Sequence, residues 1–284
     1  MLYFAYDGTI HGDWVSHYAI QLAAAGSEKA LHLIHVREVE PGHGRPGLEE
    51  LDEKFFRLEA ECSRWSVSLI PHLLKPSSDP FASVLSILAS GTTPQIVCGM
   101  RAQARQRGVL SGSFAERLLK STPCPVLAIR VVHPGLLGLP RRILLPVTGE
   151  PAELDLAWPF LQCFRENLTH IQILRVIWVG RWRFRRLSYD SMEKLRAPGL
   201  HVCEQVEQQL AQKLDLQSDA IDMQITVSDD VPKEIVIAAH KSHSRLILMS
   251  ASRKNLRERF VYGNPLEQVL RNATSDVAIY RGAL

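Results

Sequence analysis

The sequence contains no apolar run close to the length of about eighteen residues that a membrane-spanning helix needs. Its five cysteines are odd in number and widely spread, and no CxxC pair occurs. This usage argues against a disulfide framework and a zinc site, and it favours reduced thiols in a cytosol. The first residues lack the basic region of a signal peptide. We therefore expect a soluble cytoplasmic protein.

Strong charge of one sign and known catalytic signatures are also absent. The formal net charge is only +3, which does not indicate a general nucleic-acid or membrane-surface binder. The motifs GxxxxGKS/T, HExxH and GxSxG do not occur, and no nucleophile has an obvious base beside it in the sequence. We predict no catalytic residues and no metal ligands. The 284 residues, 46% of them hydrophobic, are enough for about two globular domains.

What the sequence does contain is one unit repeated twice. The separation between equivalent residues is about 140 near the start of each copy and 151 near its end. The equivalent pairs are Asp7 and Thr148, Val36 and Val176, Gly99 and Ser250, and Gly112 and Gly263. The second copy therefore carries about ten extra residues, which fall near Trp178–Leu187. A stretch rich in Pro and Gly predicts a linker at 133–140 between domains at 1–132 and 141–284.

Each copy alternates strands with helices, which predicts an α/β fold with a five-stranded parallel sheet and helices on both faces. In the first copy the expected strands are Leu2–Tyr6, Leu31–Val36, Val67–Leu74, Ile96–Cys98 and Val126–Val132. The expected helices there are Asp13–Ala25, Leu48–Trp65, Pro80–Ala89 and Gly112–Ser121. The second copy has expected strands at 142–147, 171–177, 221–227, 245–249 and 276–281. Ligands of such sheets bind at the carboxyl ends of the strands, near the point where the strand order switches.

The segment from Gly99 to Ser113 has the features of a phosphate-binding loop. Small residues let the backbone approach a phosphate, and a helix N-terminus offers unpaired amides to an anion. The hydroxyl of Ser113 can add another donor. The spacing is equally compatible with an ordinary strand-to-helix turn in which Ser113 is a local cap.

These residues, together with Asp7-Gly8-Thr9 after the first strand and Gly112-Ser113-Phe114, resemble the universal stress protein family, as two such domains in one chain. The resemblance implies the adenine-nucleotide alpha-hydrolase-like fold and a site for ATP or another adenine nucleotide, with or without Mg²⁺, in the first domain only. Asp7 would meet the adenine or ribose, and Val36 would line the base pocket. Gly99, Ala102, Gly112, Ser113 and Phe114 would surround the phosphates. A turn residue that bonds its own backbone is the alternative for Asp7.

Departures from the family pattern are few in the first copy and many in the second. Ala102 stands where the family has a second glycine. In the second copy, Thr148 replaces the aspartate, Ser250 and Arg253 replace two glycines, and Asn264 replaces the serine, so that only Gly263 survives. Val176 stands at the position equivalent to Val36. We expect this second site to be degenerate, with Arg253 either filling the phosphate position with its own guanidinium or binding a different anion.

The resemblance implies a cytoplasmic stress-response regulator that senses an adenine nucleotide. The alternative is a nucleotide-free interaction or scaffold protein, and slow ATP hydrolysis would need a base that the sequence does not identify. The family's pairing through last strands would here join Val126–Val132 to Val277–Arg281 within one chain, and a homodimer of chains and an unknown protein partner stay open. No membrane is expected as a partner, and nucleic acid is disfavoured.

The extra segment Trp178–Leu187 interleaves four arginines with three aromatic residues. We expect it to cover apolar surface or dock against the other domain, with the arginine stems packing as hydrocarbon. A site for a partner and a nucleic-acid site are the alternatives.

Overall fold

The computed structural model describes residues 1–37, 48–75, 79–100, 109–110, 113–136, 138–149, 152–251 and 265–283. The chain divides into two compact units. Unit 1 comprises Met1–Leu139 together with Tyr280–Leu284, and unit 2 comprises Pro140–Ile279. None of the helices in the described ranges is long and apolar enough to span a membrane.

Unit 1 is a parallel sheet in the order β3-β2-β1-β4-β5. Its strands are β1 (Leu2–Ala5), β2 (Ala30–Val36), β3 (Ser68–Leu74), β4 (Gln95–Gly99) and β5 (Val126–Arg130). Its helices are α1 (Ile10–Ala25), α2 (Leu48–Arg64), α3 (Pro80–Ser90) and α4 (Phe114–Ser121). The order makes β1 and β4 neighbours, so the strand order switches between them.

The helices of unit 1 cover both faces of its sheet. The Tyr6 ring, just beyond β1, contacts Phe55 of α2, whereas the hydroxyl of Tyr3 lies beside Gly91 at the end of α3. Residues three apart on a strand point to opposite faces, so α2 and α3 lie on opposite sides. The strand residues Phe4, Leu33 and Val97 are fully buried between these layers.

Unit 2 repeats this arrangement in the order β10-β9-β6-β7-β8. Its strands are β6 (Arg142–Pro146), β7 (His170–Trp178), β8 (Ile221–Ser228), β9 (Leu246–Ser250) and β10 (Asp276–Arg281), of which the last two residues are grouped with unit 1. Its helices are α5 (Ala152–Phe164), α6 (Arg181–Phe184), α7 (Tyr189–Leu214), α8 (Val231–Lys241) and α9 (Pro265–Asn272). The predicted α/β class, with parallel sheets and covering helices, is confirmed.

Several predicted boundaries were wrong by one to three residues, each for a local reason. Helix α1 begins at Ile10 rather than Asp13, because the Thr9 side chain accepts a hydrogen bond from the Gly12 amide and caps the helix early. Helix α4 begins at Phe114 because Ser113 is its N-cap. Strand β4 extends through Gly99, which pairs with Ile129 of β5.

Candidate functional site

Three of the predicted site residues lie at the carboxyl edge of the unit 1 sheet. Ala5 pairs with Ile34 of β2 on one side and with Cys98 of β4 on the other. Asp7 follows Ala5 by two residues, so it emerges between Val36 and Gly99 at the ends of adjacent parallel strands. This position is the switch point, where open α/β sheets bind ligands.

Asp7 is held in place by its own turn. Its Oδ1 accepts hydrogen bonds from the Thr9 amide at 3.0 Å and from the Thr9 hydroxyl at 2.7 Å. Gly8 has a φ of +74°, a conformation that a glycine adopts without strain. A Cβ at Gly12 would lie 2.6 Å from Asp7 Oδ1, so α1 approaches this carboxylate closely. The turn role of Asp7 is therefore present, and it fixes the carboxylate at the edge.

A polar cluster that the sequence reasoning missed lies beside this turn. The Tyr6 hydroxyl donates to Asp13 Oδ1, and Lys54 Nζ lies 2.9 Å from Asp13 Oδ2. Burial and the bond to Asp13 raise the pKa of Tyr6 far above its ordinary value. These contacts tie α1 to α2. No short spacing in the sequence signals them, because Tyr6, Asp13 and Lys54 belong to three different segments.

His35 and Val36 form the β2 side of the edge. His35 is buried, and its Nδ1 lies 2.9 Å from the Tyr6 carbonyl oxygen, so this nitrogen donates. Its ring packs edge-to-face with Phe55. Val36 is half-buried at the last position of β2. An apolar, partly covered side chain at this position is suited to contact a flat base.

Gly99 and Ser113 border the predicted phosphate loop. Among the described residues, a Cβ at Gly99 would meet Val15 alone, at 3.4 Å. Burial and the nearby Asp7 raise the pKa of Cys98 to about 12, which keeps this thiol neutral. Ser113 Oγ donates to the Leu110 carbonyl at 2.6 Å and accepts from the Glu116 amide at 3.1 Å. The serine hydroxyl is thus engaged as a local cap, and the predicted donor to a phosphate is occupied in this conformation.

The start of α4 still offers backbone donors. The Ser113 amide bonds the Leu110 carbonyl and the Glu116 amide bonds Ser113 Oγ, whereas the amides of Phe114 and Ala115 have no intrahelical partner. The Phe114 ring packs edge-to-face on Phe81 of α3. The predicted contributors Ala102 and Gly112 lie outside the described residues.

In unit 2 the equivalent edge is occupied by an arginine side chain. Arg175 Nη1 donates to the Val147 carbonyl at 3.1 Å, the same contact that His35 makes with Tyr6 in unit 1. Gly149 has a φ of +118°, and a Cβ there would lie 2.9 Å from Arg175 Nη2. The guanidinium therefore lies directly against the turn that follows β6.

The repeat spacing of 140 residues could have identified Arg175, because it pairs this residue with His35. Of the residues predicted for the degenerate site, Thr148, Val176 and Ser250 lie at the carboxyl ends of β6, β7 and β9. Arg253, Gly263 and Asn264 lie outside the described residues, so the predicted role of Arg253 stays a prediction. In the part of the chain that is described, no group of three or more His, Cys, Asp or Glu side chains could hold a metal ion.

The inserted segment of unit 2 does not pack as expected. Trp178 is 65% exposed and Trp182 is 80% exposed. The two tryptophans therefore do not cover apolar surface of unit 2 as expected, whereas docking of this segment against the other domain stays a prediction. Hydrogen bonds within the segment, such as the one from the Arg183 amide to the Gly180 carbonyl, shape it into the short helix α6 instead.

These features define an α/β protein in which the strand order of each parallel sheet switches at the first strand of its unit. The model of the universal stress protein family matches residues 76–130 and 140–281. The chain belongs to this family, whose members often bind adenine nucleotides and form dimers. No curated protein matches the sequence significantly.

Solved structures share the fold over nearly the whole chain. A universal stress protein from Archaeoglobus fulgidus DSM 4304 is 15% identical, with 98% of this chain and 97% of that chain covered and a TM-score of 0.64. A functionally unknown protein from Pseudomonas aeruginosa PAO1 is 16% identical, with coverages of 98% and 91% and a TM-score of 0.58. The cytoplasmic domain of a prokaryotic cation chloride cotransporter is 12% identical, with coverages of 99% and 95% and a TM-score of 0.59. Identities this low show the fold alone.

Proposed function

We propose that unit 1 binds ATP or another adenine nucleotide and that the protein acts as a nucleotide-responsive stress regulator in the cytoplasm. The observation that carries this proposal is the position of Asp7 between Val36 and Gly99, at the switch point of a parallel sheet. Family membership supports the same ligand class.

Each residue has a role that its surroundings permit. Val36 contacts the base, and the Asp7 carboxylate, held by Thr9, accepts a hydrogen bond from the ribose or the adenine. The phosphates lie against the loop that follows Gly99 and against the amides of Phe114 and Ala115, where the helix dipole favours negative charge. If Mg²⁺ is bound, it enters the site as the complex with the nucleotide phosphates.

Unit 2 is proposed to bind no nucleotide at its equivalent edge. Thr148 supplies no carboxylate there, and the Arg175 guanidinium lies beside Gly149. The protein would then bind one nucleotide per chain. Turnover is not part of this proposal, and slow ATP hydrolysis would need a base positioned near the γ-phosphate.

Isothermal titration of ATP into the full chain, with and without Mg²⁺, tests the proposal. We expect one site per chain, lost in Asp7→Ala and kept in the matched variant Thr148→Ala. Circular dichroism melts of both variants establish that they are folded. Equal affinity of Asp7→Ala and the unaltered chain would contradict the assignment of the site.

One observation favours the second candidate, a nucleotide-free interaction protein. The Ser113 hydroxyl donates to the Leu110 carbonyl oxygen, so in this conformation its proton is not offered to a phosphate. Absence of ATP binding at millimolar concentration would select this function. Pairing of the two copies through Val126–Val132 and Val277–Arg281 is a further proposal, which rests on the family resemblance and is tested by cross-linking mass spectrometry of the intact chain.

A further inference from the structure

The segment after β7 in unit 2 forms an ordered surface at the carboxyl edge of its sheet. Val179 is buried, and its amide donates to the Ser228 carbonyl of β8 at 2.9 Å. Ser188 then caps α7 through a hydrogen bond from the Ser191 amide. The segment is fixed at both ends, so a partner would meet a preformed surface and lose little conformational entropy on binding.

We call this region the arginine–tryptophan surface and define it by Trp178, Trp182, Arg183, Arg186, Tyr189 and Lys194. Trp178, Trp182 and Tyr189 are 65%, 80% and 74% exposed. Large aromatic side chains gain much free energy when they are buried, and their clustered exposure marks interaction sites. The surface therefore presents a large apolar area that folding of the chain leaves uncovered.

The charged side chains that define this surface are all positive. The guanidinium groups of Arg181, Arg183, Arg185 and Arg186 have no carboxylate within 4.0 Å among the described residues. An open groove of about 600 Å³ lies between α6 and the start of α7. Trp182, Leu187 and Leu195 provide its apolar wall, and Arg183, Arg186 and Lys194 provide its cations.

We propose that the arginine–tryptophan surface docks a segment of a partner protein in which one bulky apolar side chain is flanked by Asp and Glu. The apolar side chain enters the groove against Trp182, and the carboxylates pair with Arg183, Arg186 and Lys194. Trp, Tyr and Arg are the residue types that dominate binding energy in protein interfaces. Arginine also suits carboxylates because it binds them through two parallel hydrogen bonds.

The geometry favours a protein segment over the two other anionic partners. A membrane-surface helix presents a long apolar face, whereas α6 has only four residues and alternates Arg with Trp and Phe. A nucleic-acid strand needs cations along a path of several phosphates, whereas the cations here are confined to Arg181–Arg186 and Lys194, and three of them line one groove. This inference goes beyond the nucleotide site and does not depend on it.

The test uses the fluorescently labelled full chain on an array of randomised peptides. We expect the bound peptides to be enriched in Asp and Glu around Trp, Phe or Leu. In solution, Trp182→Ala should weaken the best such peptide by about tenfold or more, and the double variant Arg183→Glu/Arg186→Glu should abolish binding. The controls Trp65→Ala and Arg57→Glu/Arg64→Glu carry the same changes on unit 1 and should bind within about twofold of the unaltered chain.

Three outcomes would overturn the proposal. The first is an array without acidic–apolar enrichment, and the second is equal binding by the surface variants and the controls. The third is tighter binding to oligothymidylate or to phosphatidylserine vesicles than to the best acidic peptide, which would assign the surface to nucleic acid or to a lipid membrane. Circular dichroism melts exclude unfolding as the cause of any loss.

Discussion

The two units differ most sharply at one equivalent position, His35 in unit 1 and Arg175 in unit 2. Both side chains donate to the carbonyl that follows the first strand of their unit. The imidazole of His35 packs between the rings of Tyr6 and Phe55, whereas the longer side chain of Arg175 extends further and its guanidinium lies beside Gly149. Both copies thus keep one side-chain contact to this carbonyl, but only in unit 2 does the side chain that makes it continue to the turn after the first strand.

The largest loss of stability is expected from a substitution in the turn that lies against Arg175. A side chain at Gly149 requires a strained φ of +118°, and its Cβ would displace the guanidinium from Val147 O. Gly149→Ala should cost unit 2 about 3 kcal/mol, from backbone strain and a lost charged hydrogen bond. Gly8→Ala in unit 1, at a φ of +74°, should cost about 1 kcal/mol.

Hydrogen exchange resolved by mass spectrometry reports the two units separately and measures both changes. The double variant Gly149→Ala/Arg175→Ala should cost less than the sum of its single changes, because the hydrogen bond is lost only once. If the free-energy costs of the two single changes add up strictly in the double variant, the Arg175 hydrogen bond does not depend on a glycine at position 149.

Gly12→Ala addresses the corresponding turn of unit 1. The new methyl would lie 2.6 Å from Asp7 Oδ1 and 3.1 Å from the Tyr6 ring, so the carboxylate must turn away from Thr9. We expect ATP affinity to fall by about tenfold, which corresponds to about 1.4 kcal/mol. Gly135→Ala is the matched control, because a Cβ there meets no atom of the described residues within 4 Å. Titration calorimetry that finds the same affinity for both variants would show that the carboxylate position does not matter.

Each unit also joins its first and second long helices by a Lys–Asp pair, and the two pairs differ in burial. Lys54 bonds Asp13 at 2.9 Å with only 13% of its side chain exposed, whereas Lys213 bonds Asp155 at 2.9 Å with 37% exposed. Lys54→Met should cost about 1 kcal/mol, and Lys213→Met should cost less than about 0.5 kcal/mol. Urea denaturation of the two variants measures the difference, and equal costs would show that burial does not set the strength of these pairs.

The architecture could be predicted because strand and helix patterns are local, and the repeat supplied each pattern twice. The position of Asp7 and Gly99 at the carboxyl ends of strands also followed from the predicted strands, whereas the strand order that makes β1 and β4 neighbours was not predicted. The cluster of Tyr6, Asp13 and Lys54 could not be predicted, because its members meet only after α1 and α2 pack together. For Ser113, the sequence left two roles open, a helix cap and a hydrogen-bond donor to a phosphate. The spacing of the loop residues alone could not decide between them.

The smallest expected effect is on the pH dependence of the stability of unit 1. Burial, together with the neighbouring His72, lowers the pKa of His32, and burial lowers the pKa of His17. The Nδ1 of His32 lies 3.0 Å from Nε2 of His72, so a proton on both rings is unfavourable, and Glu28 opposes the shift only in part. The unfolded chain binds these protons more readily, with a pKa near 6.5.

The stability that the neutral histidines contribute is therefore complete above about pH 7 and is lost as the pH falls through about 6.5. Thermal denaturation at pH 7.5 and at about pH 5.5 should show a smaller loss for His32→Gln than for the unaltered chain. His240→Gln, at an exposed position of α8, serves as the control and should leave the loss unchanged. A loss that is the same in all three proteins would mean that the His32–His72 contact does not sense protons, and that acid acts on unit 1 through other groups.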